Sequence, residues 1–526
     1  MMLKGLLGAE FRLPCRSTLC KLQDQMLEEV QARVLADLEA IAVQGYPTVT
    51  ISTDLWQGPD SLHFQAIVCH YIDSSWSRQK RLLYLDRLKT SKSAESQVQR
   101  IRSVLSNRKI LEEWLFAASS DCTASAKNVS SLLGVQTALC SAHICALEPR
   151  KQIFLQTRQE AGVQELRPHE RASPEVVSFA ESVRKRAKGF RYNETKRLEL
   201  ESVQKYVGGR TKRVVLDSAA KWSSSVSMFD TDFLLRTAYA EFAVRHPQRA
   251  EIPDDMSDFL VSRDMAGVLR PFQVCTDMLQ AGRAPAAVTL PCLTALVANL
   301  RADTVLIATD TPGQLEALPA ARLQPLAQEL RQRLTENVAL ESRHIEEQRS
   351  LLLKCSFLDP RFRAMHFCTQ SDKEATIQAL YEEAARIPGF AHELEEENSD
   401  HGQPVSARDM FLQAMQGDKP VQNAKQRRKA LREQLATYGH GANLALDTEP
   451  LHFWQEHADA LKFLVPLARR YGAVPATTAD AERVFSMAKH YFTDSRLSSD
   501  SVDKVMQISL NLPEQGLWQD GDIHSH

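Results

Sequence analysis

The apolar pattern of this chain changes period once, and that change limits the folds open to it. Up to about residue 150, short runs rich in β-branched residues alternate with helical patterns; beyond it, helical spacing dominates for some 300 residues. A helix over 22–43 opens the chain, with Met26, Val30, Val34, Leu38 and Ile41 on one face, and Gly45-Tyr46-Pro47 ends it. Three strand-like runs follow, TVTISTDLW, HFQAIVCHYID and RQKRLLYLDRL. Gly58-Pro59-Asp60 and Asp73-Ser74-Ser75 separate them, which predicts an antiparallel meander. A helix over 93–105, a strand in EEWLFAASSD ending at Asp121, a helix from about Thr123 to Leu133, and a strand or strand-to-helix junction in TALCSAHICAL complete the first third. That order predicts a mixed α/β layer.

A chain of 526 residues, 43% hydrophobic and 25% charged, is long enough for several domains. No apolar run approaches the roughly 20 residues that span a bilayer, and MMLKGLLGAEFRLPC carries no signal-peptide pattern. The ten cysteines are scattered singly, as expected of reduced intracellular thiols. A net charge of −2 excludes a surface coated in positive charge. Two local basic runs stand out. One passes through Arg184, Lys185, Arg186, Lys188, Arg191, Lys196 and Arg197 and resumes at Arg210, Lys212 and Arg213; the other is KQRRKALR, 425–432. Either could follow a phosphate backbone, and either could be a solvated helix face. The acidic run at 393–400 is expected to be a mobile loop, and the terminal DGDIHSH a frayed tail.

Asp54 is read at the end of the first strand and Asp121 at the end of the fourth. If those strands are neighbours, both carboxylates emerge near one end of the layer. Two such groups raise each other's pKa unless a cation sits between them. Mg²⁺ suits the pair, because it takes hard oxygen ligands and keeps waters. Glu482 lies at the rim of a late amphipathic helix whose apolar stripe is Ala481, Val484, Phe485, Ala488 and Phe492. Placed beside the sheet, it would add the third carboxylate of a two-metal phosphoryl-transfer site. On spacing alone, a turn-capping role for the aspartates is the stronger reading.

The segments FRLPCRSTL, ISTDLW, SSDCTASAKNV, CSAHICAL, LDSAAKWSSSVSMF, CSFLDPRF and VPATTADAERVFSMAKHYFTDSRLSSDSVDKVM occur in sequence along the chain. In order and spacing this resembles the hAT-family transposases and the BED-type zinc-finger proteins derived from them. The resemblance implies an RNase H-like sheet interrupted by a large all-helical insertion and closed by a C-terminal dimerisation region. The boundaries it suggests are a helical leader over 1–47, the first part of the core over 48–222, the insertion over 223–460, the dimerisation region over 461–513 and a tail over 514–526. It implies an acidic triad of Asp54, Asp121 and Glu482 holding Mg²⁺ or Mn²⁺, and the 361 positions from Asp121 to Glu482 leave room for the insertion. Trp222 matches a tryptophan that stacks on a flipped base, with a place in the core as the equal alternative; Lys221, Arg210, Lys212 and Arg213 stand beside it for DNA. Cys140 and His143 match a Cys-x-x-His element. Val502, Val505 and Met506 line one side of the last helix as a dimerisation face, with packing inside its own chain as the alternative.

Departures from the family pattern are specific. No paired Cys and His with zinc-finger spacing precedes Thr48, so no zinc site is expected there. Cys122, Thr123, Ala124 and Ser125 replace an Asn-Ala-x-Asn pattern, Lys221 an arginine, Ala146 an asparagine and Lys489 a glycine. Cys140, His143 and Cys145 offer a weak zinc reading that lacks a fourth ligand. Two functions stay open: a metal-dependent DNA strand-transfer enzyme, and a non-catalytic, dimeric nuclear module for interaction or transcriptional regulation. Both imply DNA, a second copy of the chain and nuclear protein partners, and neither implies a membrane.

Overall fold

A computed structural model describes residues 15–512, less 44, 58–62, 89–90, 155–171, 209–210, 219–221, 249–251, 253–254, 283, 338–341, 388–423 and 495–497. The first third forms α1 (Arg16–Ile41), β1 (Val49–Gln57), β2 (His63–Ile72), β3 (Arg78–Arg87), α2 (Ala94–Asn107), β4 (Leu115–Ser120), α3 (Ala124–Leu133) and β5 (Gln136–Leu139). The middle forms α4 (Ser141–Ile153), α5 (Pro174–Arg191), α6 (Glu194–Tyr206), α7 (Ser224–Leu234), α8 (Arg236–Arg245), α9 (Ser257–Gln280) and α10 (Thr289–Arg301). It continues with β6 (Thr304–Ala308), β7 (Leu315–Pro319) and α11 (Pro325–Glu336). The last part forms α12 (Arg343–Phe357), α13 (Gln370–Ala384), α14 (Ala424–His440), α15 (Pro450–His457), α16 (Val465–Gly472), α17 (Ala479–Asp494) and α18 (Ser499–Asn511).

Two compact units result. A sheet unit takes residues 1–140, 282–287 and 350–526, and a helical unit takes 141–281 and 288–349. The division differs from the boundaries expected at 222 and 460: the helical unit begins as soon as β5 ends, and the chain returns to the sheet unit by residue 350.

The sheet has the order β3-β2-β1-β4-β5. β1, β2 and β3 are the expected antiparallel meander, and β4 and β5 add in parallel beside β1. Its two faces are buried differently. Ile51, Ile67, Cys69 and Leu83 pack against Val34 and Leu38 of α1, Val98 and Ile101 of α2, and Val129 and Leu133 of α3. On the other face, Phe64, Ala66, Val68, Leu82 and Leu85 pack against Ala481, Val484, Phe485 and Ala488 of α17 and Val502, Met506 and Leu510 of α18. Alternation sends odd and even residues of β1 and β2 to opposite faces, and a register shift between Ile67 and Val68 puts Leu82 and Leu85 of β3 on one face; local sequence covers one side and distant sequence the other.

α18 also closes the edge of the sheet. An outer strand leaves backbone groups unpaired, and these are costly unless satisfied. The Leu82 N–H donates to Asn511 Oδ1 at 2.8 Å, and Asn511 Nδ2 donates back to the Leu82 carbonyl at 2.8 Å. The Leu85 N–H donates to Asp503 Oδ1 at 2.7 Å. Elsewhere in this unit the Glu383 carboxylate accepts hydrogen bonds from Tyr46, Tyr471, Lys354 and Arg470 at 2.6–3.0 Å, fastening α13 and α16 to the start of the sheet.

The helical unit is built on α9, which packs against α4, α7, α10 and α11. Phe190, Phe233, Tyr239, Phe242 and Phe259 form its aromatic core. The middle of the chain, expected to be helical throughout, also contains the β6–β7 hairpin. Its Thr-Val-Leu-Ile run is rich in β-branched residues, and Gly313 in the turn has φ +84°, a conformation that favours glycine. Gly267 of α9 lets the hairpin approach: a Cβ there would lie 2.9 Å from the Leu306 carbonyl oxygen.

Candidate active site

β1 and β4 pair in parallel, and their last partners are Ser52 and Ser119. Asp54 and Asp121 each stand two residues beyond that pair. Equal offset along parallel neighbours puts both at the same end of the sheet. β1 does not end at Asp54 as expected; it runs on to Gln57, still paired with β2. Asp54 faces Ala66 in that pairing, and Ala66 belongs to the face covered by α17. The Trp56 ring stacks on Phe485 of α17 with centroids 5.9 Å apart, so the helix lies over this end of the strand.

α17 starts where the sequence places it. Thr477 Oγ1 accepts from the Ala479 N–H at 3.3 Å, and the apolar stripe Ala481, Val484, Phe485 and Ala488 enters the core. Glu482 is left exposed at the rim, and its helix crosses the face that carries Asp54.

Each aspartate uses one oxygen locally. Asp54 Oδ1 accepts from the Leu55 N–H at 2.8 Å; Asp121 Oδ1 accepts from the Thr123 N–H at 2.9 Å and from the Thr123 hydroxyl at 2.7 Å. Burial pushes the Asp54 carboxyl up to about 7. The Leu55 N–H opposes the rise, while the charges of Glu482 and Asp121 add to it. Asp54 therefore lies within electrostatic reach of both Asp121, its neighbour in the sheet, and Glu482 on the distant helix. The donor set is hard oxygen, which suits Mg²⁺ or Mn²⁺ rather than a soft metal. Among the described residues no three His, Cys, Asp or Glu side chains converge closely enough to cage an ion by themselves. A magnesium ion needs only one or two carboxylates, with waters and phosphate oxygens filling its shell.

The sequence missed a buried polar group set beneath α17. His70 Nε2 and Ser52 Oγ are 2.8 Å apart, Lys80 Nζ donates to Asp480 Oδ1 at 3.1 Å, and Arg483 donates to the same oxygen at 2.7 Å. His70 Nδ1 lies 4.0 Å from Asp480. Burial pushes the His70 imidazole down to about 4, with Asp480 opposing the shift. The signal was present: His70 and Lys80 are strand partners on the face of Val68 and Leu82, where apolar residues are the rule.

Other expected site residues lie apart from this arrangement. Trp222 is only 5% exposed and meets Phe272 edge-on at 6.3 Å, so its ring is a core group with no face open to a base. Arg210 and Lys221 lie outside the described residues; Lys212 and Arg213 border an open groove of the helical unit. Arg184 and Arg186 of the basic run turn inward and form ion pairs with Asp217 and Asp232 at 2.8–2.9 Å. Cys140 is buried and extends the β5 pairing through its N–H to Ser120, while His143 is exposed on α4. Cys145 is buried with the Thr276 hydroxyl at 3.7 Å, so the weak zinc reading gains no support. Val502 and Met506 are buried against the chain's own sheet, which takes up that apolar side; Val505 is half-buried. The acidic run at 393–400 and the terminal tail lie outside the described residues.

Residues 52–145 match the ZBED1 RNase-like domain, covering β1 to the start of α4. Residues 432–512 match the hAT family C-terminal dimerisation region, covering the end of α14 through α18. No curated protein matches the chain. The two matched segments are an RNase-like α/β core and a late helical segment that completes its sheet. Over those segments the chain is similar to hAT/ZBED-type transposase-derived proteins. Among the described residues no helix is long and apolar enough to cross a membrane.

Proposed function

We propose that this protein is a dimeric, DNA-associated nuclear protein whose Asp54, Asp121 and Glu482 form a phosphodiester-cutting and strand-transfer site. One observation carries the reading: Asp54 and Asp121 stand at equal offset past the last parallel pair, with α17 bringing Glu482 onto the same face. Asp54 and Asp121 would hold Mg²⁺ or Mn²⁺, and Glu482 would complete the shell. When bound, the ions supply charge stabilisation for the attacking and leaving oxygens. The protein's own contribution is positional. The Leu55 N–H fixes one Asp54 oxygen, Thr123 fixes one Asp121 oxygen, and the Lys80–Asp480 pair anchors the helix carrying Glu482.

A second reading has its own observation. The hydroxyl and N–H of Thr123 both bind Asp121 Oδ1, which is the job of a turn-capping carboxylate. On that reading the sheet is an inherited scaffold, and the protein acts as a non-catalytic dimeric regulator. Incubation with flapped or branched DNA and Mn²⁺ separates the two. Nicking by the wild type that Glu482→Gln abolishes supports the enzyme; silence from both supports the scaffold.

A further inference from the structure

We propose that the helical unit carries a binding groove for single-stranded nucleic acid, lined by Arg191, Tyr192, Arg197, Lys212 and Arg213. The groove, a cavity of about 370 Å³, lies between the end of α5, the exposed side of α6 and the segment at 212–214. Four cationic side chains line it against one carboxylate, Glu201, which is already tied to Arg197 at 2.8 Å. Inward-facing cations of the same run are spent on Asp217 and Asp232, and of the remaining ones Arg191, Arg197, Lys212 and Arg213 line the groove.

The cationic lip is held by neutral groups. Buried Gln204 accepts from the Lys212 N–H at 2.6 Å and donates to its carbonyl at 3.1 Å. Arg191 Nη1 donates to the Val214 carbonyl at 3.4 Å, joining the helix end to the segment opposite. The backbone carrying Lys212 and Arg213 is thus fixed by neutral groups; Asp230, already paired with Arg270 at 2.8 Å, is the carboxylate that feels the Lys212 charge. Such a row of fixed cations fits a chain of phosphates.

The tyrosine decides the kind of nucleic acid. Tyr192 lines the groove yet is 74% exposed, a large aromatic face presented to solvent beside positive charge. A base can stack on it only if it is unpaired, and stacking tolerates any sequence. Phosphate contacts along the cations with a base on Tyr192 describe a single strand rather than a duplex.

The test uses the full chain in EDTA, so it does not depend on the carboxylate site or its metal. Fluorescence anisotropy measures binding of a labelled oligothymidylate and of a duplex of equal length between 50 and 200 mM NaCl. The single strand should bind more tightly than the duplex. Lys212→Glu with Arg213→Glu should weaken it at least tenfold and reduce the salt slope by about 1.4, two phosphate contacts at roughly 0.7 each. Tyr192→Ala should weaken the single strand about fivefold or more, the equivalent of 1 kcal/mol or above per stacked base. Should the charge reversals unfold the chain, Lys212→Ala with Arg213→Ala gives the same comparison. Unchanged binding in folded variants overturns the proposal. So does a duplex bound as tightly as the single strand with Tyr192→Ala silent, which would mark a plain phosphate-binding patch.

Discussion

Asp54→Asn should make the protein more stable at pH 8 and lose most of that advantage at pH 5. In the folded chain the Asp54 carboxyl titrates near 7 against an ordinary 3.8, chiefly because it is buried. Its folded pKa is raised, so the folded state holds the proton more tightly than the unfolded one. The associated stability is present in full below about pH 3.8 and is lost as pH rises to 7. At 1.36 kcal/mol per pKa unit, the penalty above pH 7 is at most about 4 kcal/mol. Because the side chain is only half-buried, about 1–3 kcal/mol is the expected gain on replacing it with the neutral isostere. Asparagine keeps an acceptor for the Leu55 N–H, so no other contact is lost. Urea unfolding followed by far-UV circular dichroism in EDTA gives the difference at each pH. The gap between variant and wild type should shrink by more than half at pH 5, and added Mg²⁺ should stabilise only the wild type at pH 8. Equal unfolding midpoints at pH 8, or a gap that ignores pH, would refute the argument that burial and two neighbouring carboxylates strain this group.

Asp480→Ala should cost about 3–5 kcal/mol, because it removes the carboxylate 3.1 Å from the buried Lys80 ammonium. Lys80→Met with Asp480→Leu should recover most of it in the same urea assay, and a double variant as weak as the single one would remove the pair from the account. His70 titrates near 4, below its ordinary 6.5, so the unfolded chain takes up a proton first as the pH falls. Between pH 6.5 and 4 it should remove roughly 3 kcal/mol of stability; His70→Gln should flatten that part of the pH profile, and parallel profiles would count against it. Met506→Ala should cost about 2–5 kcal/mol as a core truncation. Light scattering combined with thermal melting checks this: a variant with wild-type melting that runs as a monomer would instead make Met506 an interface residue.

Much of the sheet was legible because its strands are local. The runs at β2 and β3 carry β-branched and apolar residues with turn signals between them, and the observed bounds differ from the expected ones by a residue. The end of β4 at Ser120, next to Asp121, was equally readable. What the sequence hid depends on distant partners. Nothing near Trp222 announces that Phe272 will cover it, and nothing in the basic run separates Arg186, which finds Asp232, from Arg191, which stays outside. Nothing near the last helix announces that the surface meeting Val502 and Met506 includes β3, more than 400 positions earlier. The Lys80–Asp480 pair was invisible for the same reason: each member looks like a surface charge until the other is beside it.

Because α17 and α18 are among the last parts of the sheet unit to leave the ribosome, Phe64, Val68, Leu82 and Leu85 stay uncovered long after they are made. At about 5–20 residues per second, the wait between β3 and Asn511 is roughly 20–80 s. Over that interval the nascent chain offers a sticky face and an open strand edge to any neighbour. A premature stop before Ala479 removes both covering helices and makes that exposure permanent, so such truncated products should aggregate or be cleared rather than persist as shortened folded proteins.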